Sequence, residues 1–151
     1  MRPIPAETDK IARQLEAEQI AGEANAETLP ALPGTYGLLF RLSKPIRVSI
    51  ARLGNPELPE GLYVYCGSAK GPGGVRARLG RHLRCEKTIR WHVDHLSLAA
   101  TEVAGLVVRH DSECELRARI QRGFETLVPV PGFGSSDCRQ CPAHLIYLPE
   151  F

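Results

Sequence analysis

The 151-residue sequence predicts a small α+β fold, and three of its features indicate this class. Runs in which every second residue is apolar, typical of strands, occur in the first half of the chain. Runs with apolar residues three and four positions apart, typical of amphipathic helices, occur in the second half. The composition, 43% hydrophobic and 24% charged, is that of a soluble globular domain large enough to bury a core.

Residues 1–30 are predicted to form an acidic, Ala/Glu-rich appendage to a domain that spans residues 31–151. This segment holds six acidic and three basic residues. Ile11 and Leu15 are its only well-spaced bulky apolar pair, so a helix here would have little to bury. Two alternatives stay open for this segment: it could form a helix that covers a basic surface, or it could be a mobile tail. The chain shows neither an export signal nor a membrane-spanning run, so we expect a cytoplasmic protein.

Three strands are predicted between Pro33 and Gly67. The alternating residues of 36–42 form the first, and those of 46–50 follow closely enough to be its hairpin partner. A turn-forming stretch at 54–61 precedes the third strand, 63–67. In an antiparallel sheet, Tyr36 at the start of the first strand and Tyr65 near the end of the third would lie side by side.

A basic helix is predicted to follow the glycine-rich loop 71–74. Val75, Leu79 and Leu83 form its apolar stripe, and Arg78 and His82 fall on an adjoining stripe that we expect to be exposed. Seven basic residues and one acidic residue lie between positions 70 and 90. Such a patch favours an anionic partner such as nucleic acid, although a solvated helix face is the simpler alternative.

The second half of the chain is predicted to alternate helices and strands. Helical spacing runs from Ile89 to Ala100, and the unbroken apolar run 103–108 is typical of a buried strand. Ser112 and Glu115 have the spacing of a capping box, so the next helix should begin there. Residues 144–148 are predicted to form a closing strand.

Several of these segments together resemble the GIY-YIG nuclease superfamily. The residues that carry the resemblance are Gly34-Thr35-Tyr36, Tyr65-Cys66-Gly67 and Arg78-Leu79-Gly80-Arg81-His82. The closing stretch from Pro131 to Cys138 is similar to that of the small, stand-alone Uri-like endonuclease branch. The resemblance covers residues 34–148. It implies a small central antiparallel sheet of about three strands, flanked by helices.

The resemblance also implies hydrolysis of DNA phosphodiester bonds with one divalent ion, Mg²⁺ or Mn²⁺. The residues that would carry catalysis are Tyr36, Tyr65, Arg78, His82 and Glu113. Glu113 would be the metal ligand, in competition with Glu115. The basic residues expected to bind the nucleic acid are Lys70, Arg76, Arg81, Arg84, Lys87 and Arg90.

The expected roles follow from the side-chain chemistry. Arg78 can donate two parallel hydrogen bonds to a phosphate. Tyr36 is expected to be the general base, its phenolate favoured by the arginine and the metal, and Tyr65 would orient phosphate or water. His82 is the competing base, because an imidazole titrates near neutral pH.

Two other functions stay open at this point. A module that binds nucleic acid without cutting it would keep the basic helix. A zinc-stabilised interaction domain would use Cys138, Cys141 and His144, whose spacing suits zinc but lacks a nearby second ligand pair. A tight buried turn is the alternative explanation of that motif.

Overall fold

The computed structural model describes residues 1–109, 112–134 and 142–151, and confirms the α+β class. Within these ranges, no helix is both long and apolar enough to cross a membrane. The helices are α1 (Thr8–Leu15), α2 (Gly74–Leu83), α3 (Asp94–Ala99) and α4 (Glu113–Gly123). The strands are β1 (Gln19–Ala21), β2 (Gly34–Leu42), β3 (Ile46–Arg47), β4 (Glu57–Leu58), β5 (Gly61–Ala69), β6 (Glu102–Val107) and β7 (Leu145–Leu148).

The main sheet is antiparallel and has five strands in the order β1-β6-β2-β5-β7. The prediction of about three strands is therefore wrong, because β1 and β7 extend the sheet at its two edges. The predicted pairing of residues 46–50 with the first strand is also wrong. β5 pairs with β2 along its whole length on one side and β6 pairs on the other, so β3 instead pairs with β4 in a separate ribbon.

The sheet has a buried cluster on each face. On one face α2 packs with Val75, Leu79 and Leu83, which are at most 1% exposed, as their spacing predicts. On the other face α1 and α4 pack through Ile11, Leu15, Leu116 and Ile120, all fully buried. Because side chains alternate across a strand, consecutive residues of β5 contribute to opposite clusters.

The amino-terminal segment buries more than its sequence suggests. Ile11, Ala12 and Leu15 pack in the cluster between the sheet and α4, and Gln14 donates to the Arg119 carbonyl of α4 at 2.7 Å, so this short helix is docked by apolar and polar contacts together. Arg2 is held more firmly still: its guanidinium donates to the backbone carbonyls of Leu83, Ser97 and Ala100 and pairs with Glu23. These contacts fasten the first residues to the ends of α2 and α3.

A loop, residues 84–93, connects α2 to α3. The helical pattern predicted from Ile89 onward is wrong for its first part, since α3 begins only at Asp94. The Asp94 carboxylate accepts hydrogen bonds from the backbone N–H groups of Arg90 and Trp91, at 2.8 and 3.0 Å, which holds the loop in its turn. Ile89 and Trp91 are left 48% and 38% exposed.

Candidate functional site

The candidate site lies at one end of the sheet, where β2 begins and β5 ends. The antiparallel register pairs Tyr36 with Gly67, so the first residues of β2 lie beside the last residues of β5. Helix α2 crosses this end on one face of the sheet, and α4 begins on the other. Side chains from four elements, β2, β5, α2 and α4, therefore meet at this end of the sheet.

Tyr36 and His82 form a buried pair at the centre of the site. The Tyr36 hydroxyl lies 2.8 Å from His82 Nε2, and both residues are 1% exposed. Gly67 makes room for the phenol, because a Cβ at that position would lie 2.6 Å from the ring. The prediction that His82 lies on an exposed, anion-facing stripe of α2 is wrong, since the imidazole turns into the sheet to reach Tyr36.

Burial controls the protonation of this pair. It raises the pKa of Tyr36 well above its ordinary value, and the neighbouring Tyr65 raises it further. Arg78 lowers the pKa of Tyr36, as expected of a nearby cation, but burial outweighs this effect, so the expectation of a readily formed phenolate is wrong. Burial, with Lys87 next, lowers the pKa of His82 to about 3. At neutral pH the pair is a neutral phenol beside a neutral imidazole.

Asp94 lies behind His82. One carboxylate oxygen is 3.8 Å from His82 Nδ1, a buried nitrogen with no hydrogen-bond partner among the described residues. A negative charge on this side favours the tautomer with hydrogen on Nδ1, in which Nε2 accepts from the Tyr36 hydroxyl. Burial raises the pKa of Asp94, but hydrogen bonds from Arg81 and from the loop backbone outweigh burial, and the pKa lies below its ordinary value.

Tyr65 lies beside this pair. Its ring contacts His82 edge-on, with 6.1 Å between the ring centroids. Burial raises the pKa of Tyr65 to about 12, so this phenol is also protonated at neutral pH. Gly134, at φ +70°, passes so close that a Cβ there would lie 2.6 Å from the Tyr65 ring. The chain thus places a glycine against each of the two tyrosines.

Arg78 reaches the site from α2. One guanidinium nitrogen donates to the backbone carbonyl of Ser68 at 2.9 Å, at the end of β5. The guanidinium also lies over the ring of Trp91, 4.9 Å from its centroid. These two contacts fix the direction of the cation and leave further N–H groups for an anion.

Glu113 reaches the site from the first turn of α4. The hydroxyl of Ser68 donates to its carboxylate at 2.5 Å, so Ser68 links Glu113 and Arg78. Burial raises the pKa of Glu113, but the Ser68 hydrogen bond and other favourable contacts outweigh it, and the pKa lies below its ordinary value. The charge of Glu113 raises the pKa values of Tyr36 and Tyr65, and the charge of Arg78 lowers both. The four residues therefore lie close enough to interact electrostatically.

Glu115, the other glutamate considered as the metal ligand, has a different environment. Glu115 is exposed, and its backbone N–H donates to the Ser112 hydroxyl at 3.2 Å, which confirms the predicted helix cap. No contact joins the Glu115 side chain to the site within the ranges that the structure describes. Of the two glutamates, Glu113 is therefore the one at the site.

His144 is a further titratable group near Glu113. It is 7% exposed, and its Nε2 has no hydrogen-bond partner among the described residues. Burial lowers its pKa, while the charge of Glu113 raises it. Cys138 and Cys141, its proposed partners for zinc, lie outside the described residues. The ranges that are described contain no cluster of three or more His, Cys, Asp or Glu side chains suited to a metal.

The predicted nucleic-acid contacts divide into two groups. Arg76, Arg81 and Lys87 are engaged within the fold: Arg76 donates to the Leu29 carbonyl, Arg81 binds Asp94, and Lys87 caps the end of α2. The other three, Lys70, Arg84 and Arg90, have exposed side chains, and Arg76 is exposed as well although its Nε is engaged. Four of the six predicted residues therefore remain on the surface.

Four residues near the site were not identified from the sequence: Ser68, Asp94, Trp91 and, as a neighbour of Glu113, His144. Ser68 directly follows the Tyr65–Gly67 motif at the end of a strand, and this position could have identified it as a site residue. Asp94 and Trp91 belong to a stretch whose apolar spacing favoured a helix. Their contacts with α2 depend on a loop that periodicity does not reveal.

The chain belongs to the family described as "Domain of unknown function DUF123", whose model matches residues 35–151. No curated protein and no solved structure matches it significantly. The assignment to the GIY-YIG nuclease superfamily and its Uri-like branch is therefore wrong, because the matching family is a distinct one and nothing supports that superfamily. The three short motifs that carried the resemblance are too brief to identify a family by themselves.

Proposed function

We propose that this chain hydrolyses phosphodiester bonds in DNA, assisted by one divalent cation. The observation that carries the proposal is the convergence of the Tyr36–His82 pair, Arg78 and Glu113 at the end of the sheet. Such hydrolysis needs a proton acceptor for water, a cation for the phosphate and a ligand for a metal ion. Each of these is available from a residue of this cluster.

Arg78 is the proposed phosphate ligand. Its guanidinium is held by the Ser68 carbonyl and the Trp91 ring, so little conformational freedom is lost when an anion binds. A planar guanidinium can contact two oxygens of a phosphate and stabilise the extra charge that develops there during attack. Lysine would supply the charge without this geometry.

The Tyr36–His82 pair is the proposed proton acceptor. The phenol oxygen would take a proton from the attacking water while the phenol proton moves to His82 Nε2, 2.8 Å away. This transfer replaces a free phenolate by an imidazolium; burial disfavours both charged forms, and the charge of Asp94 favours the imidazolium but disfavours the phenolate. The imidazolium formed would be stabilised by the Asp94 carboxylate 3.8 Å from Nδ1. The attack would form a bond from the water oxygen to phosphorus and break the bond from phosphorus to one sugar oxygen, which takes a proton from solvent. His82 would then return the phenol proton to Tyr36, and the proton taken from water would leave to solvent, so that both residues regain their starting states.

Glu113 is the proposed ligand for the divalent ion. Its pKa lies below the ordinary value, so its carboxylate is ionised at neutral pH. Mg²⁺ and Mn²⁺ accept one protein carboxylate together with water and phosphate oxygens, which fits a site with a single glutamate. When bound, such an ion would lower the pKa of water and neutralise phosphate charge.

A cleavage assay tests the proposal. Labelled single-stranded, duplex, nicked, flap and branched DNAs are incubated with the protein and Mg²⁺ or Mn²⁺. Glu113→Gln should abolish cutting, and Tyr36→Phe should slow it by about 10²–10⁴-fold, the usual contribution of a general base. The matched control is Glu115→Gln, two residues away on the same helix, which should cut like the wild type.

The result also distinguishes the simpler alternative. If the wild type binds DNA in a salt-sensitive manner but cuts none of the substrates with either metal, the protein is a binding module and the proposed chemistry is refuted. Equal loss of cutting in Glu113→Gln and Glu115→Gln would refute the assignment of Glu113 specifically.

A further inference from the structure

The loop between α2 and α3 presents apolar side chains beside the proposed phosphate site. Trp91 is 38% exposed and Ile89 is 48% exposed, with the exposed Arg90 between them. The exposed cation Arg84 lies on the same loop. A large aromatic side chain within a cationic surface matches the chemistry of a nucleobase attached to a phosphate.

We propose that Trp91 stacks on an unpaired nucleobase next to the phosphate that Arg78 binds, so that the substrate is single-stranded or locally unpaired DNA. This inference rests on the proposed function, for which it names the substrate class. The Arg78 guanidinium lies 4.9 Å from the centre of the Trp91 ring. In a nucleotide, base and phosphate are separated by one sugar, so both groups can be engaged by the same or an adjacent nucleotide.

The indole is oriented before any ligand binds. Arg78 and Arg81 both approach it from α2, the second at 4.5 Å, and His82 contacts it edge-on at 5.4 Å. The Trp91 backbone N–H is held by the buried carboxylate of Asp94. An aromatic ring fixed in this manner loses little entropy on stacking. Trp91 keeps 38% exposure with both guanidiniums over its ring, and this exposed part is where the base is placed.

A paired base is a poor ligand for this surface. Within a duplex the faces of each base are covered by its neighbours, and exposing one costs a few kcal/mol of unpairing and unstacking. A single strand presents its bases without that cost. Stacking on an aromatic side chain is sequence-tolerant because every base has a π-face. We therefore expect preference for unpaired DNA, with weak base selectivity.

Intrinsic fluorescence provides the first test, because Trp91 is the only tryptophan of the chain. Full-length Glu113→Gln protein is titrated with a single-stranded thymidine oligonucleotide, with an abasic oligonucleotide of equal length and charge, and with a blunt duplex. Quenching by the thymidine strand that clearly exceeds quenching by the other two supports the inference. Equal quenching by the thymidine and abasic strands overturns it, because the abasic strand has no base to stack.

Affinities of variants provide the second test, measured by anisotropy of labelled strands. Trp91→Ala should weaken binding of the thymidine strand about 5- to 150-fold, the equivalent of one stacked base, and change abasic binding little. Trp91→Phe should retain most of the affinity. The matched control, Arg84→Gln, should weaken both strands alike. If Trp91→Ala also weakens both strands alike, the indole serves only to orient Arg78 and the inference fails.

The failure of this inference is distinguishable from failure of the proposed hydrolysis. If base-dependent quenching is found but no DNA is cut with either metal, the hydrolysis proposal fails and the stacking site stands. If DNA is cut but the abasic and thymidine strands bind and quench alike, hydrolysis stands and the stacking site is refuted.

Discussion

Replacing the buried carboxylate of Asp94 should destabilise the protein more than any single surface change. Asp94 is fully buried and is bound by the Arg81 guanidinium at 2.9 Å on each oxygen. It also accepts two backbone N–H groups from the loop 84–93. Asp94→Ala leaves a guanidinium and two N–H groups without their acceptor.

The size of this effect follows from those contacts. Removing one partner of a buried ion pair costs about 3–5 kcal/mol of unfolding free energy. Arg81 keeps 16% exposure and its hydrogen bond to the Thr88 carbonyl, which moderates the loss. The two backbone N–H groups lose their acceptor, and where water replaces the carboxylate each adds about 0.5–1.5 kcal/mol to the loss of unfolding free energy. The moderation by Arg81 and the added loss from the two N–H groups act in opposite directions, so we expect about 3–5 kcal/mol in total, or a melting temperature lower by about 6–20 °C.

Urea unfolding monitored by circular dichroism measures the change. The control is Glu57→Ala, which removes the exposed ion pair with Arg47 and should cost less than about 1 kcal/mol. If Asp94→Ala costs no more than Glu57→Ala, the carboxylate does not hold the loop 84–93 in place.

The same residue predicts a pH dependence. The folded-state pKa of Asp94 lies below the ordinary value of 3.8, so its stabilising effect is fully present above that value and is lost as pH falls through the folded-state pKa. The stability difference between wild type and Asp94→Asn should therefore be constant from about pH 5 to 8 and shrink below about pH 4. A difference that grows as the pH falls would contradict a depressed pKa.

Three further changes test other parts of the structure. Leu15→Ala, at a fully buried position, should cost about 2–5 kcal/mol in a urea titration, whereas a detached amino-terminal segment would lose nothing. Gly67→Ala should lower stability by about 1–3 kcal/mol and slow cleavage, because the added Cβ would displace the Tyr36 ring; unchanged values would show that strand and ring can adjust. In the native protein iodoacetamide should alkylate the exposed Cys85 and spare Cys66, whose pKa burial raises to about 12; peptide mass spectrometry that finds Cys66 modified at the same rate would contradict its burial.

Local patterns of the sequence predicted most strands and helices. The alternation in 36–42, the run 103–108 and the capping residue Ser112 each act over a few positions, and the structure has an element at each of them. Periodicity does not report which strands pair. β1 has three residues, too few for alternation to be recognised, and it pairs with β6, which is distant in sequence.

The candidate site was predictable by residue type more than by environment. The charges of Arg78 and Glu113 both act on the phenols of Tyr36 and Tyr65. The sequence grouped these four residues only through the resemblance to a nuclease superfamily, and that assignment is wrong. The burial of His82 was missed because helical spacing assigned it to the polar stripe, whereas its imidazole is amphipathic and can pack against phenols. The rise in the pKa of Tyr36 was also not predicted, because it is caused by burial, and burial depends on the other elements that cover the ring.

The end of β5 explains why groups from opposite faces of the sheet reach one site. Along this strand Tyr65 lies toward α2, while Cys66 packs in the cluster that includes α4. Within the sheet, the backbone separates the two faces, so Arg78 on α2 and Glu113 on α4 could not approach each other there. At the strand end Ser68 binds Arg78 through its carbonyl and Glu113 through its hydroxyl. A single residue thus couples a cation and a carboxylate that the fold would otherwise keep apart, and this places the candidate site at the end of the sheet, where β2 begins and β5 ends.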